Sequence, residues 1–195
     1  ELVEQALHGP KGVAHMMATG FKDNGLWLEG AIPYQLAETV PLVLLAELLE
    51  NAGYKESLWR NASLGGPSLK ETYDALITLL LPDRTLPAIG DAYARRSHLG
   101  ACADFELLAR RFGDPAYAWL IHDRKTRAPQ ALFSGWPQLP PGAPPPQPTQ
   151  LWTNMGYAAL RSVEVPRYWS GEGWTAFATF SGQPVHQHAD KLSVL

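Results

Sequence analysis

A chain of 195 residues, 46% of them hydrophobic, is long enough for one large domain or two modest ones and apolar enough for a core, which excludes global disorder. A net charge of −3 leaves no nucleic-acid footprint and gives a polyanionic ligand no long-range attraction, so any such attraction must be local. Cys102 is the only cysteine, which excludes an internal disulfide, and no run approaches ~18 uninterrupted apolar residues, so the sequence shows no membrane span.

The first two-thirds carry helical periodicity. Over residues 2–19, Leu2, Val3, Ala6, Leu7, Val13, Met16 and Met17 recur at helical intervals, with Gly9-Pro10 interrupting and Gly20 as the stop. A loop follows. Asn24-Gly25 favours a tight turn, and Gly30 frees the chain again before Pro33. This loop brings Trp27, Glu29 and Tyr34 to the mouth of a long helix predicted over 33–52, where Leu36, Val40, Val43, Leu44, Leu45, Leu48 and Leu49 cover a wide face. Gly53 suits its C-terminal cap, and Pro41 is expected to kink or restart it, because proline removes an amide donor.

Ser68-Leu69-Lys70-Glu71 spells a capping box for a third helix, with Tyr73, Leu76, Ile77 and Leu80 at helical spacing and an expected end at Pro82. Helices over 100–112 and 115–122 complete the set, the second capped by Asp114 with Pro115 in its first turn. Arg95-Arg96, Arg110-Arg111 and the basic run 124–127 read as solvated helix faces and termini, and His8, His15, His98 and His122 have no partner spacing. Between Trp136 and Thr149, seven prolines leave no room for a helix or central strand, so this stretch reads as a stiff linker and a domain boundary. Beyond it the period becomes two. Residues 151–162 form a strand candidate broken near Gly156, and residues 174–180 form another, with Trp174, Ala176, Ala178 and Phe180 on one side. Helices first and strands afterwards imply a segregated α+β chain.

The closing segment carries the densest chemistry. In an extended chain, His186, His188 and Asp190 share one side, and Leu192 and Val194 continue that register. Two surface histidines without a partner are the plainer reading. Zinc needs three or four protein ligands and this segment supplies two or three, so a complete site would draw on residues beyond Leu195. In the earlier loop, Trp27 and Tyr34 read first as packing aromatics, with the Tyr34 hydroxyl bonded to a carbonyl.

Four stretches in order resemble the heparinase II/III-like polysaccharide lyases, a group that includes oligoalginate lyases. Residues 23–34, holding Asp23, Gly25, Trp27, Glu29, Gly30 and Tyr34, are similar to that family's D-G-x-W-x-E-G loop and its tyrosine. Residues 86–91 are similar to its l-P-x-i-G-D turn, residues 154–162 to its first sheet strand, and residues 186–193 to its H-x-H-x-D-K-L-S strand. The resemblance implies an incomplete (α/α) toroid over 1–133, a proline-rich linker over 134–149 and the start of an antiparallel β-sandwich over 150–195. It implies cleavage of a uronate-containing polysaccharide or oligosaccharide, heparin-like or alginate-like, by β-elimination. Tyr34 is then the proton donor or base, and His186 neutralises the carboxylate or takes the proton. His188 is a ligand of a structural zinc, and Trp27, Glu29 and Gln35 line the substrate.

Gln35 stands where many relatives have histidine, and Leu36 where some alginate-acting members have arginine. The family's Asn-His pair and its later Asp and His metal ligands would lie before Glu1 and after Leu195, so the expectation is a central fragment, inactive alone, of a periplasmic or secreted enzyme. Two other readings stay open. One is an (α/α)-toroid glycoside hydrolase using Glu29 and Asp91, which needs opposed carboxylates. The other is a non-enzymatic cupin-like metal- or sugar-binding module around His186 and His188.

Overall fold

The computed structural model describes residues 1–23, 25–59, 64–89, 98–99, 104–122, 138–180 and 193–194. Helices α1 (Leu2–His8) and α2 (Val13–Gly20) precede a small hairpin of β1 (Phe21–Lys22) and β2 (Leu26–Trp27). The long α3 (Ile32–Asn51), α4 (Leu69–Thr78), α5 (Phe105–Phe112) and α6 (Pro115–Ile121) follow. Strands β3 (Gln150–Trp152), β4 (Tyr157–Arg161), β5 (Thr175–Thr179) and β6 (Ser193–Val194) end the chain. Helices segregate from an antiparallel sheet of order β3-β4-β5-β6, so the architecture is α+β.

Local chemistry explains most helix ends. Gly9-Pro10 does divide the first helical stretch in two. Gly53 sits at φ 65 after α3, and its N–H and that of Tyr54 donate to Glu50 O and Leu49 O, the paired bonds of a Schellman stop. The capping box at α4 forms in both directions: Glu71 N donates to Ser68 Oγ, and Ser68 N donates to Glu71 Oε2. Asp114 accepts from Ala116 N at the start of α6.

α3 does not restart at its proline, and α4 ends earlier than expected. α3 runs without a break through Pro41, which lies on its exposed side. α4 stops at Thr78, short of Pro82, where Leu79 N and Leu80 N turn back to Leu76 O and Ile77 O, and side chains from far along the sequence bond carbonyls at and just past its end. Gln147 Nε2 donates to Ile77 O at 2.7 Å, Arg161 Nη2 to Thr78 O at 2.7 Å, and the Tyr168 hydroxyl to Leu80 O at 2.6 Å. A helix C-terminus leaves orphan acceptors, and here distant donors satisfy them.

Among the described helices, α3 alone is long and apolar enough to cross a membrane by length and composition, with mean hydropathy 1.3. Its Leu42, Val43, Ala46 and Leu49 pack into the core instead, and its Glu47 binds both Arg110 and Arg111 of α5. Those two arginines, expected on a solvated face, therefore tie α5 to α3; Arg111 also lies 5.5 Å from the centre of the Trp59 ring.

The broken strand candidate of 151–162 is an antiparallel hairpin, with Trp152 opposite Tyr157 and Gly156 turning at φ 68. On β5 the core-facing set is Phe177 and Thr179, while Trp174 and Phe180 are exposed, so the burial phase is opposite to the apolar alternation in the sequence. Phe177 packs against Trp152 and Tyr157, and these join Leu79, Leu80 and the helical apolar residues in one continuous core. The proline-rich stretch has no regular structure over 138–149 and lies along α6. Ala143 N donates to Pro115 O, and a side chain at Gly142 would meet Trp119 N at 2.4 Å.

Candidate functional site

The β1–β2 hairpin and the first turn of α3 gather most of the described candidate residues. Phe21 pairs with Trp27 and Lys22 with Leu26. The turn depends on Gly25, whose φ is 126 and whose Cβ, if present, would lie 2.5 Å from Glu71 O on α4. The Trp27 ring packs edge-to-face on Phe21 at 5.1 Å and lies directly over Gly20, while its indole N–H donates to Glu29 Oε2 at 3.0 Å.

Gln35 sits beneath this loop, 2% exposed. Its Oε1 accepts from Trp27 N, and its Nε2 donates to Gly25 O and to Thr72 O, both at 2.7 Å. The amide thus braces the loop from below and ties it to α4. Tyr34 is half-buried in the first turn of α3, its backbone N–H donating to Ala31 O. Trp27, Glu29, Gln35 and Tyr34 therefore share one loop-and-helix corner, with Trp27 and Glu29 only partly covered and Gln35 enclosed.

The sheet holds this corner at two points. Asp23, at φ 43, accepts from Asn154 Nδ2 at 2.8 Å through Oδ1 and from Met155 N at 2.7 Å through Oδ2. Tyr157 donates its hydroxyl to Gly30 O. Burial pushes the Tyr157 phenol well above its ordinary pKa, so it remains a neutral donor at any working pH. Between these bonds lies a cavity of about 10 Å³, lined by Trp27, Gly30, Gln35, Met155 and Tyr157 among others. It has room for about one water molecule and none for a sugar ring. His186, His188 and Asp91 lie outside the described residues.

The bonds that Asp23, Asn154 and Tyr157 make carry no mark in the sequence, since nothing local announces partners more than a hundred residues away. His8 was also missed. Its Nε2 is 2.8 Å from Glu56 Oε2, and Glu4, one helical turn earlier, joins them. Glu4, His8 and Glu56 are the metal-capable group among the described residues. Lys55, hydrogen-bonded to Glu4, holds that carboxyl below its ordinary range.

A second polar cluster links α4 to α6. Lys70 Nζ is 2.8 Å from both Asp74 Oδ2 and Asp114 Oδ2, and the Tyr117 hydroxyl donates to Asp74 Oδ1 at 2.7 Å. Burial alone would lower Lys70, but its bonds to Asp114 and Asp74 outweigh it and raise the ammonium. Burial alone would likewise raise Asp114, but Lys70 and the Ala116 N–H hold its carboxyl below the usual range. These groups satisfy one another, which marks the cluster as a structural tie.

Set against known proteins, the chain matches no family model and none of the curated proteins.

Proposed function

We propose that this chain contributes the catalytic groove of a polysaccharide lyase that cleaves a uronate-containing acidic glycan by β-elimination. The observation that supports this most is contact between two of the four lyase-like motifs. Asp23 and Gly30 of the first motif bond to Asn154, Met155 and Tyr157 of the third. In a lyase of this type the helical layer supplies the proton-transfer group and the sheet supplies the histidine strand, so the two motifs must abut. Within this reading the helices belong to an incomplete (α/α) toroid and the strands open a β-sandwich.

The chemistry assigns the residue types. The proton on carbon 5 of a uronate is weakly acidic until the neighbouring carboxylate is neutralised, the role given to His186. A base then removes that proton, the bond between carbon 4 and the bridging oxygen breaks, and a carbon 4–carbon 5 double bond forms. The departing oxygen takes a proton from Tyr34, which in some arrangements also serves as the base. Trp27 offers an apolar edge to a sugar at the rim of the corner, Glu29 fixes the indole, and Gln35 keeps the loop in shape. A zinc held through His188 would brace the sheet, without a step of its own in the reaction.

The test is an elimination assay on the full-length protein, with heparin-like and alginate-like glycans, reading the ultraviolet absorbance of the new conjugated double bond. Tyr34→Phe should lower turnover about a hundredfold or more with circular dichroism unchanged, since the phenol's proton is what the reaction needs. Wild-type turnover in that variant would overturn the assignment of Tyr34. Saturated product ends would replace the lyase reading with hydrolysis.

A further inference from the structure

We propose that Glu4, His8 and Glu56 form a divalent-cation site of the zinc class that fastens α1 to the turn after α3. Glu4 and His8 are four residues apart, so α1 presents both on one face. Glu56 comes from a turn 48 residues after His8, and one ligand atom from each residue lies within 4.8 Å of the others. Two elements thus bring three donors to a common point, where a metal would replace the direct His8–Glu56 bond.

The donor set selects the metal. One imidazole nitrogen with two carboxylate oxygens suits zinc and its first-row neighbours, whereas calcium and magnesium favour shells of oxygen alone. Three protein ligands leave room for water in the remaining position. Lys55 Nζ lies 2.6 Å from Glu4 Oε1, so one cation already attends this carboxylate. The Lys55 side chain is 65% exposed and can swing into solvent when a metal arrives.

The location gives the metal a job. α1 has seven residues, no side-chain bond at its N-cap and a single buried side chain, Leu7. A helix this short has little stability of its own, so whatever holds its polar face decides whether it stays docked. The site shares no residue with the lyase reading, and it stands or falls separately.

The experiment is zinc titration by calorimetry on the full chain, on Glu56→Gln, on His8→Gln, and on a His186→Ala/His188→Ala variant that removes the other histidine pair. One zinc equivalent should persist in the His186→Ala/His188→Ala protein. Its affinity should fall about tenfold or more in Glu56→Gln and in His8→Gln, by analogy with the loss seen when even supporting groups around a metal are removed. Zinc should also raise the thermal midpoint of the wild-type chain more than that of Glu56→Gln, a comparison internal to each folded protein. The proposal is overturned if zinc binding vanishes with His186 and His188. It is equally overturned if Glu56→Gln and His8→Gln bind zinc as the wild type does.

Discussion

Gly25 and Tyr157 show how single residues set the corner where the hairpin, α3 and the sheet meet. Gly25 holds φ 126 against the backbone of α4. Gly25→Ala should therefore cost about 1–3 kcal/mol from backbone strain alone, with the clash against Glu71 O added, read as a drop in the denaturation midpoint. Tyr157 donates to the Gly30 carbonyl from a buried position. Tyr157→Phe keeps the ring packed on Phe177 but removes that bond, an expected loss of about 0.5–1.5 kcal/mol. Hydrogen exchange should show the loss centred on the loop before α3; an unchanged midpoint with unchanged exchange there would contradict the role given to this bond.

Elements were legible where their ends are written in local chemistry. Ser68 with Glu71, Asp114 with Pro115, and Gly53 each specify a cap through residues within a turn of the boundary, and all three form. What meets the carbonyls at and past the end of α4 was not legible, because Gln147, Arg161 and Tyr168 bond them from 70 or more residues away. Nor was the inward face of β5: alternation gives two faces, and only the packing of Phe177 on Trp152 chooses between them. The α4–α6 tie makes a pH prediction. Asp114 has its carboxyl lowered in the folded state, so its pairing with Lys70 adds stability above the unfolded carboxyl range and loses it as pH falls through the folded value. Asp114→Asn keeps a good N-cap but removes the charge. Its stability deficit should be under about 1 kcal/mol near neutrality, since these side chains are partly solvated, and should shrink on acidification below about pH 4. It should shrink also as pH rises past the raised Lys70 value, where the ammonium is lost. A deficit constant across pH would show that the charge pair contributes nothing.

At the scale of the molecule, the sheet is fixed to the helices by one shared core and by a set of side-chain bonds to backbone. The α+β order was readable from the change of hydrophobic period, but the junction was not. Asp23 and Asn154 are 131 residues apart, and neither carries a local mark of the other. Asp23→Ala should loosen the β3–β4 turn and the hairpin together. Hydrogen exchange at Met155 and in the hairpin would then accelerate as a pair, while loosening of only one side would contradict a clamp. This clamp matters because the proposed chemistry needs the helical phenol and the sheet imidazole to work on one sugar. The most direct measurement is an experimental structure of the protein with a bound uronate oligosaccharide, giving the positions of the Tyr34 hydroxyl and the His186 imidazole. The account expects both groups on the same uronate ring, with the phenol near the bridging oxygen and the imidazole at the carboxylate. A sugar bound elsewhere, or the two groups on opposite sides of the molecule, would contradict it.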